Sequence, residues 1–172
     1  MAVLPPPGNK HDFYAAPNGS FDLATMPGGV VDFSPNHTPI RLQRGDGGFG
    51  AHHIAAKHGV WLDRHKKTVT EMVWEKLQQP GLIYTTEDAS KLKVTMRFPP
   101  PALLLLRHIS SAQPFFTVVS LYLLEGAVDG EPLGQYPTSG QTQMPAFSLP
   151  PPKPVPIITT KKPKKIWLDS GA

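Results

Sequence analysis

The chain has 172 residues, 21 of them proline and none cysteine, with a formal charge of +4 and a pI near 9.4. Without cysteine there is neither a disulfide framework nor a thiolate metal site, and no apolar run approaches the ~20 residues that span a bilayer. The mild basic excess suits a polyanionic partner such as RNA.

Proline is unevenly spread. Seven prolines precede Gly47 and eight follow Tyr136, whereas Phe49–Glu131 holds five. Proline withdraws backbone donors and stiffens extended chain, so residues 47–131 are expected to fold, between a proline- and glycine-rich arm (1–46) and a proline- and lysine-rich tail (132–172). In the arm, turn signals at Pro17-Asn18-Gly19-Ser20, Met26-Pro27-Gly28-Gly29 and Ser34-Pro35-Asn36 separate short apolar pieces. It reads as an extended segment laid against the core or another protein, or as a disordered one. Met1–Pro7 lacks the basic and apolar regions of a secretory leader, so no signal peptide is expected. Asp46-Gly47-Gly48 reads as the hinge into the folded part.

The next stretch is the most informative. His52, His53 and His58 lie within seven positions, beside Lys57 and between glycines, so Gly50–Gly59 reads as a short helix with a flexible start and a Gly59 exit. His53 and Lys57 share one face of that helix. Ile54 points toward a core, which places His53 and His58 near a buried edge. Imidazoles beside a cation titrate near neutral pH, as acid–base chemistry requires.

Thr68 and Glu71 match a capping box, and Val69, Met72, Val73 and Leu77 follow a helical period that Pro80-Gly81 ends. From Gly81 the period changes to two. Leu82–Thr85 reads as a strand. Lys91–Phe98 alternates Leu92, Val94, Met96 and Phe98 against Lys91, Lys93, Thr95 and Arg97. Ala102–Ile109 is apolar on both faces up to Arg107 and His108. Phe115–Leu124 is interrupted by Thr117, Ser120 and Tyr122. The expected fold is α+β, with two N-terminal helices packed on a three- to four-stranded antiparallel sheet, flanked by proline-rich extended arms.

Lys93, Thr95 and Arg97 recur every second residue, about 6.5–7 Å apart, comparable to the phosphate spacing of an RNA strand. A solvent-facing strand that uses lysine against edge pairing would look the same. Histidines with a lysine, two arginines and hydroxyls, but no carboxylate cluster, suit metal-free RNA cleavage. That reaction needs a base for the 2′-hydroxyl, an acid for the departing 5′-oxygen and cations for the phosphorane, and it yields a 2′,3′-cyclic phosphate. On this reading His53, His58, Arg97, Arg107 and Ser120 are the catalytic candidates. Lys57, Lys93, Thr95, Thr117 and Tyr122 are the RNA-binding ones. His53, His58 and His65 follow no recognised zinc-ligand spacing and no acid completes them, so no metal or cofactor is assigned. A metal-dependent hydrolase and a non-catalytic module of a phage or secretion assembly stand as alternatives.

The segments Gly48-Phe-Gly-Ala-His-His-Ile-Ala-Ala-Lys-His-Gly59, Pro80-Gly-Leu-Ile-Tyr84 and Phe116-Thr-Val-Val-Ser-Leu-Tyr122 resemble the barnase–EndoU–colicin–RelE-like ribonuclease toxins, in particular their phage and polymorphic-toxin branches. The resemblance covers about Gly47–Glu125. It implies a metal-independent ribonuclease, often a tRNase, secreted or delivered into the cytoplasm of a competitor cell and neutralised by an immunity protein. By that match His53 and His58 lead, with Lys57 beside them.

Overall fold

A computed structural model of the chain describes residues 8–32, 34–97 and 99–136. The expectation for the tail falls, after Tyr136, outside the described residues. Two short strands come first, β1 (Ala24–Met26) and β2 (Thr38–Arg41), then two helices, α1 (Gly50–Arg64) and α2 (Val69–Leu77). Five strands follow: β3 (Gly81–Thr85), β4 (Lys91–Met96), β5 (Ala102–Ile109), β6 (Phe115–Leu123) and β7 (Pro132–Tyr136). Among the described residues they form one seven-stranded sheet in the order β1-β2-β6-β5-β4-β3-β7, curled into a half-barrel. No helix among these residues is long and apolar enough to cross a membrane.

The expected architecture is corrected on three points. The sheet has seven strands rather than three or four. It is mixed, because β2 lies parallel to β6. The helices also follow two strands and are not N-terminal. The antiparallel run β3-β4-β5-β6 is its centre, and the segments expected as extended arms add strands at both edges. Pro39 shows why the arm reads as strandless. Proline cannot donate to a ladder, yet the β2–β6 register is confined to Ile40↔Phe116 and Arg41↔Thr117, so Pro39 needs no donor toward β6.

The register of the central strands sorts the side chains into two faces. Leu92 pairs with Leu106, Val94 with Leu104 and Met96 with Ala102, and all six are buried. Lys91, Lys93 and Thr95 pair with Arg107, Leu105 and Leu103 on the other face. The expected alternation in β4 is therefore present. A bulge in β6 between the partners of Leu105 and Leu106 inserts an extra residue, which keeps Val118 and Leu121 on the apolar face. Val69, Met72, Val73 and Leu77 of α2 join the same core, each of the larger ones contributing about 1.5–3 kcal/mol by leaving water.

The start of α2 has a local cause. The Thr68 hydroxyl accepts from the Glu71 N–H at 3.2 Å, and the Thr68 N–H donates to the Glu71 carboxylate at 2.8 Å, so the expected capping box is formed. At the far end of α2 the buried Tyr136 hydroxyl donates to the Leu77 carbonyl at 3.0 Å, tying β7 to the helix. Helix α1 does not stop at Gly59 but runs on to Arg64. A glycine inside a helix costs about 1 kcal/mol, and burial of Leu62 one turn later more than offsets it.

Candidate functional site

Helix α1 packs along β6, the longest strand, and this contact sets His58 against Tyr122. The segment leading into α1 is a closed turn rather than a loose hinge. The Asp46 N–H donates to the Phe49 carbonyl at 3.0 Å, and the Gly48 N–H donates to Asp46 Oδ1 at 2.9 Å. Gly45 and Gly50 flank it with φ of 69° and 78°, conformations that favour glycine. A methyl group at Gly50 would sit 2.6 Å from the Gln43 carbonyl oxygen. The Ala51 and His52 N–H groups donate to the Gln43 and Arg44 carbonyls, so the first turn of α1 is pinned to the chain leaving β2.

His53 is oriented by this turn. Its Nδ1 lies 2.7 Å from the Gly47 carbonyl oxygen. A carbonyl only accepts, so in the neutral ring Nδ1 carries the proton and Nε2 keeps its lone pair. That is the tautomer a general base requires. Lys57, one turn on, is exposed.

His58 has a different environment. It is half-buried, and its ring meets that of Tyr122 edge to face at 5.3 Å between centroids. Burial foremost, then the neighbouring His53 and Lys57, holds its pKa below the ordinary 6.5, so His58 is neutral at pH 7. Its Nε2 is buried without a hydrogen-bond partner, as are the hydroxyls of Thr117 and Ser120 on β6. Three of the four such side-chain atoms among the described residues thus lie on α1 and β6, the two elements packed against each other. Buried polar groups are normally satisfied, so this concentration marks a place kept polar at a cost.

Strand register places the remaining candidates. Thr117 pairs with Arg107 and Ser120 with Leu105, while Tyr122 pairs with Leu103, whose other neighbour is Thr95. Directly paired residues share a face, so Lys93, Thr95, Arg107, Thr117, Ser120 and Tyr122 all lie on the face opposite the apolar one. They do not lie at one end of it. The Thr117–Arg107–Lys91 row and the Tyr122–Leu103–Thr95 row are four β5 residues apart, about 13 Å. Arg97 follows β4 at the Thr95 end and is exposed. The two arginines are therefore too far apart to clasp one phosphate. Thr95 itself is fully buried, its hydroxyl 3.4 Å from the Leu82 carbonyl.

Lys93 faces an open concavity of about 690 Å³ that it shares with Lys91, Glu87, Asp88, Asp129 and Glu131. Its Nζ donates to the Asp129 carbonyl at 3.1 Å, and Lys91 is paired with Asp88 at 2.7 Å. Four carboxylates around two engaged lysines repel a phosphate. The histidines His53, His58 and His65 are not gathered into a metal-binding group; among the described residues no three His, Asp or Glu side chains are.

The groups that escaped sequence reasoning are main-chain ones. The Gly47 carbonyl orients His53, and the signal for it was Asp46-Gly47-Gly48, a turn-forming run one helical turn ahead of a histidine. Comparison of the chain with protein-family models, with curated proteins and with solved structures found no match.

Proposed function

We propose that the protein is a metal-independent endoribonuclease of the barnase–EndoU–colicin–RelE-like kind, cleaving RNA by 2′-hydroxyl attack to leave a 2′,3′-cyclic phosphate. The observation that carries this reading is His53, whose Nδ1–H is held by the Gly47 carbonyl while Nε2 is left as a base. His58 is neutral at pH 7 and meets Tyr122 edge to face, which suits it to positioning; the proton that His53 Nε2 takes from the 2′-hydroxyl is passed by the same ring to the 5′-oxygen as the P–O5′ bond breaks. Arg97 supplies charge at the Tyr122 end of the sheet. Arg107, paired with the buried Thr117, holds the RNA backbone about two phosphates along, as a strand-like spacing allows. Further support comes from the order α1, α2 and the antiparallel run β3–β6, which contains all three segments on which the resemblance rests. That resemblance also supports a toxin role: secretion or delivery into a target-cell cytoplasm, tRNA among the substrates, and a cognate immunity protein as partner.

The test is induction of the chain and its His53→Ala form in bacteria, with total RNA resolved on a denaturing gel. Growth arrest with discrete RNA fragments is expected for the unaltered chain, and cleavage by the purified protein should persist in chelator. Loss of the base should lower the cleavage rate about 10²–10⁴-fold in a folded variant. Intact RNA and normal growth with soluble, folded protein would sink the proposal in favour of a structural or interaction module.

A further inference from the structure

We infer that Asp46 is a positioning residue: by closing the turn before α1 it aims the Gly47 carbonyl at His53 and so selects the tautomer in which Nε2 is the free base. The inference deepens the ribonuclease reading and rests on it for the chemistry, although the positioning itself is a property of the folded chain.

A neutral imidazole has two tautomers, and the proton resides on the nitrogen that has an acceptor. For His53 that acceptor is a main-chain oxygen six residues earlier in sequence, outside the helix, so it has to be carried there by the turn. Two hydrogen bonds close that turn, Asp46 N–H to the Phe49 carbonyl and Gly48 N–H to Asp46 Oδ1, and they bracket the Gly47 peptide on either side. The Asp46 carboxylate is the one side chain in this closure. Its second oxygen lies 3.6 Å from Lys10 Nζ, and the Gly45 N–H donates to the Lys10 carbonyl at 2.8 Å, so the turn is also tied to the chain preceding β1. Glycine at 47 and 48 would otherwise let this peptide rotate freely. With Gly45 packed so closely on Phe49 that a methyl group could not fit, the turn has little room to adopt another shape while Asp46 holds it. Without the carboxylate, the Gly48 N–H loses its acceptor and the Gly47 carbonyl is released. His53, half-buried and with no other acceptor assigned to Nδ1, then redistributes its proton toward Nε2, where it blocks the base.

The readout is the tautomer itself. Long-range ¹H–¹⁵N spectra of the ¹⁵N-histidine-labelled protein, recorded above the histidine titration range, distinguish Nδ1–H from Nε2–H for each ring. His53 should be Nδ1–H in the unaltered chain. In Asp46→Ala it should become predominantly Nε2–H, with the His58 signals unmoved as evidence of an intact fold. Asn can still accept from the Gly48 N–H, so Asp46→Asn should restore Nδ1–H. RNA cleavage by Asp46→Ala should fall at least tenfold at unchanged KM. An unchanged His53 tautomer in folded Asp46→Ala overturns the inference, and so does a shifted tautomer with wild-type cleavage. A shifted tautomer where no form cleaves RNA upholds the positioning and overturns the ribonuclease reading instead.

Discussion

Ser120 sets stability against use. Its hydroxyl is fully buried on β6 with no hydrogen-bond partner, a condition that costs about 1–3 kcal/mol relative to a satisfied group. Replacing Ser120 by Ala removes the unsatisfied oxygen and leaves almost no cavity. Unfolding in denaturant should therefore show a gain of about 1 kcal/mol, while RNA cleavage falls. Opposite signs in the two measurements are the mark of a group retained for chemistry rather than for packing. A loss of stability would show instead that the hydroxyl has a structural partner. His58 makes a related prediction in pH. Its pKa in the folded protein lies below the 6.5 of the unfolded chain, chiefly through burial, so between those values the unfolded state binds more protons. Stability from this group is complete above about pH 6.5 and is lost as pH falls toward the folded-state pKa. His108, also lowered by burial, acts in the same direction. Thermal unfolding should occur at lower temperature at pH 5.5 than at pH 7.5, and His58→Gln should shrink that difference. An equal difference in the variant would assign the effect to other groups.

At the scale of elements, local signals decided what could be read in advance. The capping box names its own partners three residues apart, so the start of α2 was legible from Thr68 and Glu71 alone. Thr68→Ala should cost about 1 kcal/mol, seen as a lower denaturant midpoint at unchanged slope; no shift would mean that packing alone holds the helix. Strand β5 was equally legible, since the run Ala102–Ile109 is bounded by proline and serine, and β6 differed by one residue at its end. Lys76 was not. It lies four residues after Met72 and three after Val73, on the buried stripe, and the whole side chain is enclosed, with its amine 3.5 Å from Gln79 Oε1. Burial lowers its pKa, partly offset by Glu75, a compromise invisible to a periodicity that treats lysine as polar. Gly59 misled for the converse reason. Glycine is a helix terminator only where no apolar residue downstream makes continuation favourable, and Leu62 does so here.

For the molecule as a whole, the illegible part was the non-local part. Strands β1, β2 and β7 have three to five residues each, include Pro39 and Gly134, and exist because of partners far away in sequence. No window of ten residues contains that information. The site divides along the same line. His53, Lys57 and His58 could be placed on one helix from spacing, and the cationic face of β4 from alternation. That Arg97 and Arg107 belong to opposite ends of the sheet follows only from the β4–β5 register, in which Lys91, not Arg97, meets Arg107.

The parallel pairing of β2 with β6 has a consequence in time. Ile40 and Phe116 are 76 residues apart, so β2 waits for most of the described chain before its partner exists. Long-range parallel pairing is slow, because the loop must close before any contact rewards it. Helix α1 lies within that loop and leans on β6, so the nascent chain carries its histidines for the duration of synthesis without the strand that organises them. The contact between His58 and Tyr122 is therefore among the last parts of this fold to be completed.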